Sequence, residues 1–327
     1  MEIMHILVMQ SRRILVTGGA GFLGTYVVGE LQQKNYEVHV PLHSDYDLRS
    51  RAQVEQLLAA TKPHCIIHLA AVVGGIGANR RSPGTFFFDN AIMGIHLMEQ
   101  ARLAGVEKFV SVGTVCSYPK HTPVPFHEES LWDGYPEETN APYGIAKKLA
   151  LVQGQAYRQQ YGFNAIYLIP VNLFGPGDNF DPETSHVIPA LIYKFSCALC
   201  ERKREVVLWG DGMPTREFLY VKDAARALVL ALETYEKPDP VNIGTGKEIS
   251  IRELAEVIAA EVGFTGKIVW DTTKPNGQPR RRLDTARALR EFGFQATTPF
   301  IDGLRATIQW YARHVASHTP VPANVAV

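Results

Sequence analysis

Short apolar runs alternate with segments of helical periodicity along the first half of the chain. Residues 14–16 form one apolar run, a glycine-rich segment follows at 17–24, and Val27, Val28 and Leu31 recur at the spacing of one helix face. This pattern predicts a strand, a turn and a helix. The same reasoning predicts strands at 37–42, 64–71, 108–112 and 164–170, and helices at 51–60, 90–104 and 142–160.

Strict alternation indicates a parallel sheet, because each return to a parallel neighbour needs a crossover connection. The predicted fold class is α/β, with a doubly wound parallel Rossmann sheet that binds ligands at the carboxyl ends of its strands. Later the alternation loosens into strands at 206–209, 218–221 and 241–243 and helices at 222–233 and 251–262. We predict a dinucleotide-binding domain at 1–175 and 216–245, and a smaller interleaved α/β substrate domain at 176–215 and 246–327.

Size and charge narrow the class of ligand. The chain has 327 residues, enough to bury a sizeable core, and 33 Lys and Arg residues balance 33 Asp and Glu residues. This balance favours neither nucleic acid nor a membrane surface as a partner, so a small ligand is expected. Residues 1–10, expected to be a strand-like extension, lack the pattern of a secretory signal, and no segment reaches membrane-spanning length.

The cysteines do not suggest a disulfide framework. There are four, at positions 65, 116, 197 and 200, and the cytoplasm is the simplest compartment for such a chain. Cys197 and Cys200 have the spacing of a redox or metal pair, but they fall inside a helical pattern without a second Cys or His pair. We therefore expect buried helix cysteines and no metal site.

The segment 17–24 reads TGGAGFLG. Its glycines allow backbone amides to approach a pyrophosphate, and the start of the next helix attracts the negative charge, so a dinucleotide cofactor is expected. An acid at the end of the second strand would bind the ribose hydroxyl of NAD, but residues 41–44 are Pro-Leu-His-Ser. This tip favours NADP, and NAD is not excluded because Asp45 follows directly.

Tyr143 and Lys147 lie four residues apart at the predicted start of a long helix, with Pro142 suited to its first turn. This spacing places both side chains on one helix face. A nearby cation would lower the pKa of the phenol and make Tyr143 a proton donor or acceptor. The alternative is an exposed aromatic residue beside a solvated lysine.

Other candidate residues follow predicted strands. Thr114 and Cys116 come directly after the strand at 108–112, at the expected ligand edge of the sheet. His186 opens a predicted helix, either as a cap residue or as a proton carrier, whereas His68 falls in an apolar run and is expected to be a hydrogen-bonded core residue. Four arginines have side chains suited to binding a pyrophosphate, and one or two of them are expected to bind it. They are Arg216, Arg280, Arg281 and Arg282.

The glycine segment together with Tyr143 and Lys147 resembles the extended short-chain dehydrogenase/reductase family. Longer segments resemble one branch of it, in which a GDP-linked keto-sugar is epimerised and reduced. They are VGGIGAN at 73–79, CSYP at 116–119, NLFGPGDNF at 172–180, SHVIP at 185–189 and WGDGMPTREF at 209–218. The resemblance covers nearly the whole chain.

The resemblance implies roles for particular positions. The catalytic residues would be Thr114, Cys116, Tyr143, Lys147 and His186, with Cys116 and His186 as the base and acid that invert ring carbons. The cofactor residues would be Gly18, Gly19, Ala20, Gly21, Phe22, Leu23, Gly24, Ala70, Lys147, Pro170, Val171, Asn172, Leu173 and His186. The GDP-sugar would contact Lys194, Trp209, Arg216 and Asn276, and Asn276 replaces an expected aspartate.

The implied reaction converts GDP-4-keto-6-deoxy-D-mannose to GDP-L-fucose with NADPH in a homodimer. Inversion beside a ketone needs a base on one face and an acid on the other, which a cysteine and a histidine can provide near neutral pH. One alternative is another GDP-keto-sugar epimerase or reductase, for example one acting on a keto-heptose. A second alternative is a cofactor-sensing module without catalysis, which would not need these catalytic residues.

Overall fold

Strands and helices alternate through the first half of the chain, as predicted. The computed structural model describes residues 12–274, 276 and 278–315, so the expectations for residues 1–10 lie outside the described part. This half contains β1 (Arg13–Thr17), α1 (Phe22–Gln33), β2 (Glu37–His39), α2 (Arg51–Thr61), β3 (Cys65–His68), α3 (Ile76–Arg81), α4 (Pro83–Leu103), β4 (Lys108–Val112), α5 (Ala141–Tyr161) and β5 (Ala165–Pro170).

Shorter strands are more frequent in the second half. It contains β6 (Asn172–Phe174), α6 (Val187–Cys200), β7 (Glu205–Trp209), β8 (Thr215–Tyr220), α7 (Val221–Thr234), β9 (Val241–Ile243), β10 (Glu248–Ser250), α8 (Ile251–Val262), β11 (Lys267–Asp271), β12 (Arg280–Arg281), α9 (Ala286–Phe292) and α10 (Phe300–His314).

The main sheet has six parallel strands in the order β2-β1-β3-β4-β5-β9. One face is covered by α2 and α4, whose Leu57 and Leu97 share a core, and the other face packs on α1 and α7 through Val27 and Leu228. Helices on both faces of a parallel sheet confirm the predicted doubly wound α/β fold.

A second core lies beneath α6, α8 and α10, where Phe195, Leu254 and Leu304 are buried together. Its small sheet is organised around β8, which pairs with β10, β12 and β6. β7 and β11 form a separate parallel pair. The segment near Leu283 and Phe292 returns to the core of the main sheet.

Some predicted element bounds are wrong. β2 and β3 end at His39 and His68. Beyond them the chain packs against the glycine turn, since a Cβ on Gly19 would lie 2.8 Å from the Val40 side chain. The loop predicted after residue 170 instead contains β6. The helix predicted at 90–104 begins at Pro83, which needs no N–H partner in a first turn.

The cysteine prediction is confirmed only in part. Cys197 and Cys200 lie in α6 as expected, but Cys197 is half-buried and Cys200 is exposed, because α6 ends there at the surface. The four cysteines, all in the described part, carry free thiols. Among the described residues, no helix has the length and apolar character needed to cross a membrane.

Candidate active site

The turn between β1 and α1 is packed so tightly that side chains are excluded from it. A Cβ on Gly24 would lie 2.1 Å from the Gly18 carbonyl oxygen, and one on Gly18 would lie 2.7 Å from the Ala70 nitrogen. Gly18 also has φ of +71°, which favours glycine. Ala20 and Gly21 are exposed at the start of α1. This backbone cradle at a helix start fits the pyrophosphate of a dinucleotide.

The strand register brings the predicted cofactor residues to one edge of the sheet. Thr17 lies beside His68, His68 beside Ser111, and Val112 beside Leu168. The segments that continue from these strand ends therefore emerge together. They carry Gly18 to Gly24, Ala70, Thr114 and Pro170 to Leu173.

Cys116 lies in a short 3₁₀ turn, Val115–Ser117, which is seated directly on α5. The Ser117 hydroxyl donates to the Gly144 carbonyl at 2.9 Å. A Cβ on Gly144 would lie 2.5 Å from the Cys116 carbonyl oxygen. Thr114 caps the turn by accepting the Cys116 N–H at 3.2 Å. Gly144 therefore lets the cysteine turn approach the helix that carries Tyr143.

Tyr143 and Lys147 are both buried on α5. The predicted lowering of the Tyr143 pKa is wrong. Burial raises that pKa, and the neighbouring Cys116 and Tyr167 raise it further. The reason is that an apolar environment disfavours the phenolate. The alternative of an exposed tyrosine beside a solvated lysine is also wrong, and Tyr143 is a protonated phenol at neutral pH.

Burial lowers the pKa of Lys147 to about 8. The Lys147 carbonyl accepts the Tyr167 hydroxyl at 3.1 Å, which ties α5 to β5. His68 is a buried core residue, as predicted, and its Nδ1 lies 2.8 Å from the Thr17 hydroxyl oxygen. Burial and then the charge of Lys147 lower the pKa of His68 to about 3, so its ring is neutral.

His186 lies at the start of α6, a helix of the second core. It is the residue before the first turn of α6, and its ring does not cap that helix. The preceding loop contacts the segment after β3, where the Gly75 N–H donates to the Thr184 carbonyl at 3.0 Å. His186 is accessible to solvent, yet the surrounding protein lowers its pKa by desolvation.

One of the predicted arginines, Arg281, contacts Cys116. Arg216 and Arg281 are register neighbours on β8 and β12, and Arg281 Nη1 lies 3.7 Å from Cys116 Sγ. Burial and then the Arg281 charge lower the pKa of Arg216 to about 10, and Cys116 opposes this shift. Arg280 instead forms an ion pair with Glu248.

Glu217 fixes this arginine pair. It is fully buried on β8 and accepts the Leu283 N–H at 2.7 Å and the Gly246 N–H at 2.8 Å. The carboxylate thus joins β8 to the segment that contains Arg281. Sequence reasoning missed this role of Glu217 and that of Gly144. A charged residue within WGDGMPTREF and a glycine beside Tyr143 were the available signals.

Lys194, Trp209 and Asn276 lie around β7. The Lys194 ammonium donates to the Val207 carbonyl at 3.3 Å, and burial lowers the pKa of this lysine. The Asn276 side-chain oxygen accepts the Asp211 N–H at 2.9 Å, next to the turn that follows Trp209. Arg216 lies on β8, where its register neighbour is Arg281.

Comparison with known proteins gives one family. Residues 14–244 match the NAD dependent epimerase/dehydratase family. GDP-L-fucose synthase 1 of Arabidopsis thaliana is 41% identical over 309 residues, which cover 94% of this chain and 95% of that protein. This confirms the resemblance to extended short-chain dehydrogenase/reductases.

Solved structures share the fold along most of the chain. A GDP-L-fucose synthetase from Naegleria fowleri bound to NADP is 32% identical, with a TM-score of 0.83, and the match covers 92% of this chain and 94% of that one. A GDP-6-OMe-4-keto-L-xylo-heptose reductase from C. jejuni is 26% identical, with a TM-score of 0.87, and the match covers 93% and 98%.

Proposed function

The chain belongs to the NAD dependent epimerase/dehydratase family, and we propose that it converts GDP-4-keto-6-deoxy-D-mannose to GDP-L-fucose with NADPH. One observation carries the proposal, namely the seating of the Cys116 turn on the helix of Tyr143 through Gly144. A reductase needs the phenol alone, whereas an epimerase also needs a base beside it. The same helix supports both.

Epimerisation uses Cys116 and His186. The Cys116 thiolate takes the proton from the carbon beside the ketone, and the electron pair moves to the C4 oxygen to give an enolate. The His186 imidazolium then returns a proton to the opposite face. Its lowered pKa makes the imidazolium a stronger acid once it is charged. Proton exchange with solvent restores both groups before the second carbon, C3 or C5, is inverted.

Reduction uses the buried pair on α5. When bound, the reduced nicotinamide cofactor supplies a hydride to C4. Tyr143 donates its proton to the C4 oxygen, which its raised pKa permits because the phenol is protonated beforehand. Thr114 Oγ1 accepts the Cys116 N–H, so the hydroxyl hydrogen can be donated to the substrate. Lys147 binds the nicotinamide ribose in this proposal.

Product analysis tests the whole reaction. The purified protein is incubated in D₂O with GDP-4-keto-6-deoxy-D-mannose and NADPH, and the product is examined by NMR and mass spectrometry. GDP-L-fucose carrying deuterium at C3 and C5 is expected. Cys116→Ser should lose this uptake, because a hydroxyl hardly ionises near neutral pH. GDP-L-fucose formed normally by Cys116→Ser would refute the assignment of the base.

A second candidate is a GDP-keto-sugar reductase that does not epimerise. The fold similarity to the heptose reductase, with a TM-score of 0.87, favours it. Such an enzyme would yield a D-series deoxyhexose without deuterium in the same experiment. The base and acid pair of Cys116 and His186 favours the first candidate. A non-catalytic cofactor sensor would give no product at all.

NADPH is the proposed cofactor because no carboxylate stands at the tip of β2 and because one relative was solved with NADP. The carboxylate of Asp45, just beyond, accepts the Ser44 hydroxyl at 2.9 Å. Fluorescence titration should show tighter binding of NADPH than of NADH. Tighter NADH binding that weakens in Asp45→Ala would instead show that Asp45 holds the ribose hydroxyl.

The proposal also covers the substrate contacts, the compartment, the domain division and the oligomeric state. We assign the GDP-sugar contacts to Lys194, Trp209, Arg216 and Asn276. A cytoplasmic location accords with the free thiols. We keep the division into 1–175 with 216–245 and 176–215 with 246–327, although the packing of Leu283 and Phe292 favours assigning that stretch to the nucleotide-binding part. A homodimer through α4 and α5 completes the proposal.

A further inference from the structure

A backbone contact joins the segment after β3 to the loop that ends at His186. The Gly75 N–H donates to the Thr184 carbonyl at 3.0 Å, and a Cβ on Gly75 would lie 2.9 Å from the Ser185 carbonyl oxygen. We propose that Gly75 is a positioning residue, whose missing side chain sets where His186 stands for the inversion of the sugar. The inference rests on the proposed function for the role of His186 as the acid.

The need for glycine at position 75 comes from this contact and not from the backbone angles. Gly75 precedes the first turn of α3 with φ of −65° and ψ of 179°, a conformation that any residue adopts. A separation of 2.9 Å between a Cβ and a backbone oxygen is nevertheless well inside the normal contact distance. A side chain here would therefore have to displace the Ser185 carbonyl, one residue before His186.

The segment 72–79, which leads from β3 into α3, is anchored on α4. The Asn90 side chain on α4 accepts the Val72 N–H at 3.0 Å and donates to the Val72 carbonyl at 2.9 Å. The Asn79 side chain donates to the Gly75 carbonyl at 3.1 Å. Both asparagines are buried. Gly75 is therefore presented to the loop by a backbone that is held on both sides.

The same segment packs against the surroundings of Tyr143. A Cβ on Gly74 would lie 3.6 Å from the Phe86 ring. Phe86 is buried, and its ring lies edge to face with that of Tyr143, at 6.4 Å between centroids. The contact at Gly75 thus relates the position of the His186 loop to that of Tyr143.

The loop is held together by its own hydrogen bonds. The Asn179 side-chain nitrogen donates to the Thr184 hydroxyl at 2.8 Å, and the Asp181 carboxylate accepts the Thr184 N–H at 3.0 Å. The Ser185 N–H donates to the Asp181 carbonyl at 2.9 Å. His186 follows directly, before the first turn of α6. A displacement of the Ser185 carbonyl therefore moves His186 as well.

Inversion and proton exchange depend on His186 to different extents. Inversion requires His186 to deliver its proton to the face opposite Cys116, so it depends on where the imidazole stands. Exchange with retained configuration needs Cys116 alone, which takes the ring proton, exchanges it with solvent and returns a deuteron to the same face. A misplacement of about 1 Å can slow a positioned step on the order of 100-fold. A displaced His186 should therefore slow inversion and spare exchange.

The test supplies NADP⁺ in place of NADPH, so that reduction does not remove the keto-sugar. Gly75→Ala is incubated in D₂O with GDP-4-keto-6-deoxy-D-mannose, and NMR follows deuterium and configuration at C3 and C5. Inversion should slow on the order of 10- to 100-fold, while deuterium uptake with retained configuration continues. Asn179→Ala, which releases Thr184 within the loop, should give the same separation and decides the question if Gly75→Ala does not fold.

Gly77→Ala is the matched control in the same segment. A Cβ on Gly77 would lie 3.8 Å from the Glu183 carbonyl oxygen, which is an ordinary contact. This substitution should leave inversion unchanged, and thermal unfolding shows which variants are folded. Normal inversion in folded Gly75→Ala, or equal slowing in Gly77→Ala, would overturn the inference.

A measurement without substrate separates this inference from the proposed function. In protein containing ¹⁵N-labelled histidine, the His186 ring signals are assigned by their loss in His186→Asn. They should shift in Gly75→Ala and stay unchanged in Gly77→Ala. If they shift but the wild type neither inverts nor exchanges, the function fails while the positioning by Gly75 stands. If the wild type makes GDP-L-fucose and Gly75→Ala changes neither the signals nor inversion, the inference fails while the function stands.

Discussion

Tyr143 and Lys147 are buried on one face of α5, and burial acts on both by favouring the uncharged form. The phenol keeps its proton to a higher pH than usual, while the ammonium loses its proton more readily, with its pKa lowered to about 8. At neutral pH the site therefore presents a proton donor beside a cation that is close to titrating.

Tyr143→Phe tests the donor. The substitution removes the proton for the C4 oxygen but leaves Cys116 and the ring packing against Phe86, now 6.4 Å from Tyr143 between ring centroids. Ketone reduction should fall on the order of 100 to 10,000-fold, the range for loss of a general acid. Deuterium exchange at C3 and C5 should persist. NADPH oxidation at the wild-type rate would exclude Tyr143 from this role.

Lys147→Met should stabilise the protein while removing reductase activity. Because the folded-state pKa of about 8 lies below the unfolded value of 10.5, the unfolded state binds more protons between these two values. The penalty for the buried charge is therefore complete below pH 8 and disappears as the pH rises toward 10.5. The gain in unfolding free energy should approach about 3 kcal/mol at pH 7.

Urea denaturation at pH 7 and pH 10 measures this difference. The gain should be clearly smaller at pH 10, because the wild-type ammonium is then mostly deprotonated in the folded state. A variant that is less stable than the wild type at pH 7 would show that Lys147 makes compensating contacts in the folded protein.

Sequence spacing was enough to identify Tyr143, Lys147 and Cys116 as candidates, but it could not give their protonation. The pKa of Tyr143 depends on how completely neighbouring segments cover it, and these segments are distant in sequence. The contact between Arg281 and Cys116 was hidden for a similar reason. Three consecutive arginines look alike in sequence, and the pairing of β12 with β8 decides which one faces Cys116.

At the scale of elements, the 115–117 turn can approach α5 because Gly144 has no side chain. Gly144→Ala would place a Cβ 2.5 Å from the Cys116 carbonyl oxygen, against the backbone of Cys116 and Ser117. The turn must move, so we expect a stability loss of about 1–3 kcal/mol. Deuterium exchange at C3 and C5 of the sugar should fall even at a temperature where the variant is fully folded, because the displaced turn carries Cys116.

Gly29→Ala is the matched control for that substitution. Gly29 also lies within a helix, α1, but its Cβ would meet nothing within 4 Å. Stability should rise by about 0.5–1 kcal/mol, because alanine loses less backbone entropy on folding. Thermal unfolding measures the stability change in both variants. Equal stability changes would show that the contact with Cys116 is not the reason that position 144 needs glycine.

Long elements were predictable, whereas short ones were not. Periodicity over ten or more residues located α5 and α8, and the apolar run of β4 was found with its bounds, Lys108–Val112. β6 has three residues and β12 has two, so neither contains a readable alternation. Each of these strands exists because it pairs with β8, which is a property of the assembled fold.

On the scale of the whole molecule, the acid and the base of the proposed reaction come from different cores. Cys116 packs against the core of the main sheet, whereas His186 precedes α6 of the second core. Any change in the relative position of the two cores would alter the distance between these groups. The hydrogen bond from the Leu283 N–H to Glu217 joins β8, whose Phe218 and Tyr220 lie in the second core, to a segment packed on the main core, and it therefore helps to set that distance.

The outer face of α4 and α5 gives the last prediction, which concerns the proposed homodimer. Phe88 and Ile95 are exposed at i and i+7 on α4, at 60% and 39%, and Val152 is 48% exposed on α5. An apolar stripe across two packed helices is a typical association surface. Light scattering should show a dimer that Phe88→Glu combined with Val152→Glu converts to a monomer. Leu289→Glu, at an apolar position 53% exposed on α9, should stay dimeric because it lies elsewhere on the surface. A monomeric wild type, or a dimer that persists in the double variant, would contradict association through this face.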